Sequence, residues 1–272
     1  RASVRGPPAR PHPDAGPEQP ETVSQPAARA DTEADAGEAP PQPPSAAGDA
    51  APEPGAEILT QRYDNARTGA NLNERRLSPA SVQRLKLLGS WLVDGELYAQ
   101  VLVADRVEIA GKPRAVAIVA TMNDTVYAFD ADAPPEEAFL WQQGMKQELG
   151  TPSYCARNVG GPNGILSTPV IDKARGHVYV VARDCDPGFL PQMPLCEQRL
   201  FQLKLQTGEI LRSIKVQGEV LVGEANGGAR SLQFNPSAHW NRPGLLLAGD
   251  QLVVAFGSGP AGDQHAGLVG HH

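Results

Sequence analysis

Apolar residues in this chain come in short runs rather than helical stripes, and the runs recur three times in one order. The first copy is Ala117 to Ala120, a step through Asn123-Asp124, the alternating run Thr125 to Asp130, and a closing Leu140-Trp141. The second is His177 to Arg183, then Arg199 to Leu205, then Thr207-Gly208-Glu209. The third opens at Gln251 to Gly257. Apolar strand, turn, alternating strand and an acidic or Thr-Gly turn is how a propeller blade reads. Successive copies lie 60 and 74 residues apart, so insertions separate some strands.

The pattern predicts one meander from Tyr98–Ala104, Val116–Met122, Thr125–Asp130 and Phe139–Trp141. Asn123-Asp124 tolerates the left-handed angles of a tight hairpin, and Pro134-Pro135 breaks the chain before the last strand. A second meander follows from Ile165–Ile171, Val178–Arg183, Arg199–Leu205 and Ile210–Val216, with a turn over Lys173–Gly176. Gly244–Leu247, Leu252–Phe256 and a strand beginning near His265 start a third. Leu88–Asp94 reads as an orphan outer strand, donated to a blade that the far end of the chain completes. The expected fold is all-β: a β-propeller of four-stranded antiparallel blades, incomplete in this chain, with about two and a half blades visible. A plain β-sandwich is the other architecture open. One helical turn is expected near Ser78 to Leu85, with Ser78 capping and Pro79 at the first helical position.

Composition divides the chain in two. Residues 1–56 hold about half of its 26 prolines and no Ile, Leu, Phe, Tyr or Trp, with scattered acids such as Asp31, Glu33, Asp35 and Glu38. Such a segment buries too little apolar surface to offset its chain entropy and is expected to be a disordered tether. Residues 57–272 form the fold. A net charge of −7 speaks against nucleic acid, which needs a basic surface. No apolar run is long enough to be a transmembrane segment, and no initiator Met opens the chain. A Pro/Ala/acidic spacer before a β domain suits a secreted protein, or one with a lipid anchor upstream.

Of the three cysteines, Cys185 follows one strand and Cys196 precedes its hairpin partner. The hairpin brings them to one end of the blade, where a disulfide is expected and two unpaired thiols are the alternative. A bond there implies an oxidising, extracytoplasmic compartment. Cys155 is left over, and no CxxC or His/Cys cluster marks a metal site.

Arg62-Tyr63-Asp64-Asn65-Ala66-Arg67-Thr68-Gly69-Ala70-Asn71 followed by Leu77-Ser78-Pro79 resembles the opening of secreted bacterial proteins with pyrroloquinoline-quinone (PQQ)-enzyme-like β-propellers. Val93-Asp94-Gly95, Tyr98-Ala99-Gln100, Ala120 to Asp132, Gly164 to Asp172 and Arg242 to Leu247 continue the resemblance in order. It implies a propeller. It also implies two functions: a quinoprotein dehydrogenase, with PQQ, calcium, a vicinal disulfide, a stacking Trp and an Asp base, or a non-catalytic scaffold. Adjacent cysteines do not occur here, and Trp91, Trp141 and Trp240 read as blade or loop residues.

Candidate site residues are few. His239, Arg242 and His265 fall in loops flanking strands, where propellers hold ligands, and an Arg beside a His suits an anionic group. The competing reading leaves Arg242 on loop carbonyls and His239 in solvent. Asp130 and Asp132 are either a catalytic carboxylate pair or a hairpin cap. Asp64 and Asn65 near Arg67 are either calcium ligands or structural hydrogen bonders. Trp141 reads as core. Gly160-Gly161-Pro162-Asn163-Gly164 is no phosphate loop, because no Lys-Ser/Thr follows. The favoured function is a non-catalytic extracytoplasmic binding or scaffold module for a protein or small molecule not identified by the sequence, with no cofactor assigned. The alternative is a PQQ-dependent dehydrogenase of alcohols or sugars, with Arg242 on the quinone carboxylates and the two histidines near its carbonyls.

Overall fold

The computed structural model describes residues 57–72, 74, 77–146, 164–186, 195–223, 228–258 and 269–271. The expected tether over residues 1–56, Cys155 and His265 lie outside them. Contacts divide the chain into Arg1–Ala50 and Ala51–His272, and every described residue belongs to the second unit.

Two successive four-stranded antiparallel meanders of propeller-blade type form the body of the fold. The first runs β1 (Leu102–Ile109), β2 (Lys112–Ala120), β3 (Thr125–Asp130) and β4 (Phe139–Gly144). The second runs β5 (Val170–Asp172), β6 (His177–Asp186), β7 (Leu195–Lys204) and β8 (Ile210–Lys215). A hairpin of β9 (Glu219–Gly223) and β10 (Ala229–Gln233) follows. Then β11 (His239–Trp240) pairs with β14 (Gly257–Ser258), and β12 (Leu246–Ala248), β13 (Gln251–Ala255) and β15 (Val269–His271) make a third sheet. Among the described residues the one helix is α1 (Pro79–Val82), with Ser78 capping and Pro79 opening it as the sequence predicts, and Ser81 returning the bond in a capping box.

Strand alternation sorts each sheet's side chains onto two faces. Val116, Ile118 and Val126 meet Val178, Val180, Phe201 and Leu203 in a core between the first and second sheets. The opposite face of the second sheet, with Val181 and Leu200, meets Leu252, Val254 and Phe256 of the third. Both faces of the second sheet are therefore covered, and the other face of the first, with Val119, Tyr127 and Phe129, is covered by Trp91 and Val93. That is why Thr125–Asp130 is buried at every position and its neighbour β2 reads as a nearly continuous apolar run.

Trp141 locks the first two sheets together. Its indole N–H donates to the Leu205 carbonyl at 3.0 Å, and the ring lies against Gly208. Gly208 has φ +73°, and a Cβ there would come within 2.4 Å of the ring. The Leu-Trp close of one copy and the Thr-Gly turn of the next are thus two halves of one contact.

Three expectations change. Leu88–Asp94 is in no ladder; it crosses the face of the first sheet. Trp91 stacks on Phe129 with centroids 4.7 Å apart, Val93 joins the same cluster, and Asp94 accepts hydrogen bonds from Thr121 and Thr125 at 2.8 and 2.6 Å. Leu88 and Leu92 face outward, 92% and 94% exposed. The first strand begins at Leu102 rather than Tyr98, and the fifth begins at Val170 because Pro169 has no N–H to give a ladder. The β9–β10 hairpin lies in what the sequence pattern leaves as an insertion.

The motif from Arg62 to Gly69 serves the fold's interior edges. Ile58 bridges Val103 in β1, and the Leu59 carbonyl accepts the Ile171 N–H of β5 at 2.8 Å. Arg67 donates to Thr60 Oγ1, the Gln61 carbonyl and the Leu245 carbonyl at 2.8, 2.7 and 2.8 Å, and Asn65 donates to Leu247 at 2.8 Å. One short segment therefore touches all three sheets.

Candidate functional site

The polar interior of the fold gathers at the end of the sheets where β2 turns into β3 and β6 faces β7. Cys185 and Cys196 are directly opposed in the ladder and form the expected disulfide. Beside it, Arg183 is 4% exposed and reaches the segment that leads into β11. Its guanidinium donates to the Pro236 and Ser237 carbonyls at 2.9 and 3.2 Å and lies 5.4 Å from the Trp240 ring centroid. Burial pulls its pKa down to about 10, with the charge of Asp124 opposing, so it stays protonated at neutral pH.

His239 is buried rather than solvated. Its Nδ1 accepts the Asn235 N–H at 3.0 Å, which leaves Nε2 as the protonated nitrogen of the neutral ring. Burial lowers its pKa. Arg242 is exposed, with its guanidinium over the same Trp240 ring at 5.2 Å. The structure thus brings His239 and Arg242 to one β11 corner, with His239 facing in and Arg242 facing out.

The carboxylates split by role. Asp130 accepts the Asp132 N–H at 3.1 Å and pairs with Arg114, and Asp172 repeats the arrangement on Arg175. Burial raises the pKa of Asp172, but the Arg175 hydrogen bonds outweigh it and the net shift is downward. Asp130 is therefore a turn cap, as is its counterpart. Asp64 closes its own turn onto Thr68, whose hydrogen bonds lower its pKa.

Asp124 is different, and the sequence shows it only as a turn residue. It adopts φ +59° between β2 and β3, and its side chain is fully buried. Neither carboxylate oxygen has a hydrogen-bond partner among the described residues. Burial first, then the nearby Asp184, push its pKa well above the usual carboxylate range. Lys146 and the Arg183 backbone and guanidinium offset part of that. Its backbone carbonyl accepts the Met145 N–H at 2.8 Å. Gly164 packs so closely on the carboxylate that a Cβ would lie 2.4 Å from Oδ1. Asn241, also fully buried, donates to the Gly164 and Val181 carbonyls at 3.2 and 2.9 Å. Turn residues are usually exposed, so only the packing of the second sheet and Gly164 reveals this one. Among the described residues no group of three or more His, Cys, Asp or Glu gathers as a metal centre.

A separate cleft of about 230 Å³ opens at the other end of β6, between the second and third sheets, lined by Asp172, Arg175, Tyr179, Arg212 and Asp250 among others. Arg175 is paired there with both Asp172 and Asp250.

No protein-family profile matches the sequence, and no curated protein does. Among solved structures, the quinohemoprotein alcohol dehydrogenase ADHIIG from Pseudomonas putida HK5 is similar over 59% of this chain and 34% of its own, at 14% identity and a TM-score of 0.35. The quinohemoprotein alcohol dehydrogenase from Comamonas testosteroni is similar over the same shares, 59% and 34%, at 16% identity and a TM-score of 0.30. BamB from Moraxella catarrhalis is similar over 64% of this chain and 59% of its own, at 14% identity and a TM-score of 0.21. The chain thus spans about a third of each dehydrogenase. The fold assignment rests on the strand order described above.

Proposed function

We propose that this chain is a non-catalytic binding or scaffold module that works outside the cytoplasm. The observation that carries the reading is the outward row of the segment crossing the first sheet. Leu87, Leu88 and Leu92 are 89%, 92% and 94% exposed, while Trp91 and Val93 hold the segment down. Apolar exposure of that extent suits contact with another protein. The Cys185–Cys196 bond supports an oxidising compartment.

The quinone alternative asks for adjacent cysteines and an open tryptophan face. The described residues do not fit it well: the bonded cysteines are 11 residues apart across two strands, and Trp240 is 6% exposed with two guanidiniums over it. The deciding experiment incubates the longest available form of the protein with PQQ and calcium. It then measures bound chromophore and dye reduction with alcohols and aldoses. The expected result is neither; stoichiometric quinone with substrate-dependent reduction would overturn the proposal.

A further inference from the structure

The repeat that builds the first two sheets breaks its own chemistry at one place, and the structure is open there. Ladder partners align the sheets row for row. Leu102, Ile118, Ala128 and Trp141 oppose one another across β1 to β4, and Val170, Tyr179, Gln202 and Arg212 do so across β5 to β8. One extra residue bulges just beyond each row, Leu140 in β4 and Leu211 in β8, so the two registers are equivalent. Each row lies on the face turned to the next sheet. In the first sheet the row is apolar and ends on Trp141, whose ring fills the gap to Gly208 of the second. In the second sheet it turns polar and ends on Arg212, and the cleft of about 230 Å³ stands over it.

A face that meets another sheet ordinarily carries apolar side chains that interdigitate with it. The neighbouring row, Val181, Leu200 and Ile214, keeps to that, and its last two members line the cleft with Leu247 and Leu252 of the third sheet. Polar groups on the other side differ in what they hold. Arg175 is shared between Asp172 and Asp250, and the Gln202 amide meets His177 Nδ1 at 3.0 Å. Arg212 makes no hydrogen bond or ion pair among the described residues, and neither does the Tyr179 hydroxyl. Burial and Asp172 raise the Tyr179 pKa, so it is a phenol that can donate.

An unpaired guanidinium beside leucine and isoleucine suits a carboxylate on an apolar body. The planar fork takes two oxygens in parallel bonds, and the aliphatic walls take the rest. Asp172 and Asp250 disfavour a second negative charge on the ligand. The volume is below the roughly 300–1,000 Å³ of drug-sized sites, so the body is small. We propose that this cleft binds a small monocarboxylate with a flat apolar body, of the arylacetate type, seated where the first sheet places its own indole. The site goes beyond the proposed function and does not rest on the exposed leucines, whose segment crosses the other face of the first sheet.

The test titrates the full chain with phenylacetate and with its neutral analogue phenylacetamide, followed by amide NMR shifts. Phenylacetate should bind with a dissociation constant of about 1 mM or tighter and shift Tyr179, Gln202, Ile214 and Leu252. The amide should bind at least about tenfold more weakly, since it lacks the charge-assisted pair. Arg212→Gln should weaken phenylacetate by about tenfold or more and leave the amide as it was. Arg212→Trp, which gives the row the residue that ends it in the first sheet, should fill the cleft and abolish both. Arg212 is exposed, so both variants should still melt cooperatively. No binding by the wild type, equal affinity for acid and amide, or undiminished phenylacetate affinity in Arg212→Gln would overturn the proposal and leave Arg212 a solvated rim charge.

Discussion

At the scale of single residues, Asp124 and His239 give stability opposite dependences on pH. The folded pKa of Asp124 is raised by burial and by Asp184. Between the unfolded value, about 3.9, and that raised value, the native state keeps a proton the unfolded chain has lost. Stability from this group is therefore present below about pH 4 and falls as pH rises through the folded pKa. Asparagine does not titrate. Asp124→Asn should match the wild type near pH 4 and exceed it by about 1–3 kcal/mol at pH 7.5, read from urea midpoints at constant slope. A variant less stable than wild type at both pH values would show that the carboxylate is paired after all. His239 works the other way, since its lowered pKa means stability present above about pH 6.5 and lost as pH falls. Neither burial is legible in the sequence. A polar residue in a turn looks the same whether water or a neighbouring sheet lies above it.

At the scale of elements, the repeated signals were legible but their mutual contacts were not. Trp141 reads as core from its place after an alternating run. Only the second sheet shows that its ring fills the space above Gly208 and its N–H reaches Leu205. Trp141→Ala should cost about 3–5 kcal/mol, as large core truncations do. Gly208→Ala should also destabilise, because it places a methyl against the ring in a left-handed conformation. Denaturant midpoints with tryptophan fluorescence check both, and a neutral Gly208→Ala would refute the docking. The segment from Leu88 to Asp94 shows where pattern reasoning fails. Alternation marks a one-sided extended segment, and it is the same whether the segment joins a ladder or lies across a sheet. Its two faces predict opposite outcomes: Leu88→Glu with Leu92→Glu should change stability by no more than about 0.5 kcal/mol, while Trp91→Ala should lose more. The leucine variant should also bind less of a hydrophobic dye. Equal losses of stability from both faces would remove the exposed row on which the binding function rests.

At the scale of the whole molecule, the question is what makes three sheets one unit, and Arg67 supplies much of the answer. Side chains of facing sheets supply the cores, but the edges of β1 and β5 are joined through Ile58 and Leu59. The segment leading into β12 is reached by Arg67, whose Nη2 donates to the Leu245 carbonyl while Nη1 donates to Thr60 Oγ1 and the Gln61 carbonyl. The sequence offered this motif as a family resemblance and left Asp64 and Asn65 as either calcium ligands or structural hydrogen bonders. In the structure Asp64 closes a turn and Asn65 hydrogen-bonds the third sheet, the structural alternative. A guanidinium can serve these divergent carbonyls at once because its donors are fixed in a planar fork; an ammonium cannot. Arg67→Lys and Arg67→Ala should therefore weaken the third sheet selectively. Native-state hydrogen exchange should show faster exchange across Leu246–Ala255, with protection in β2 and β3 retained. Cys185–Cys196 provides an internal control, since it lies at the β6–β7 end of the second sheet. Cys185→Ser with Cys196→Ser should destabilise the β6–β7 end by about 2–3 kcal/mol. It should leave the Leu246–Ala255 exchange pattern as in wild type. If Arg67→Lys left exchange unchanged, or loosened the first sheet as much as the third, the stitching role would fall to the packed side chains alone.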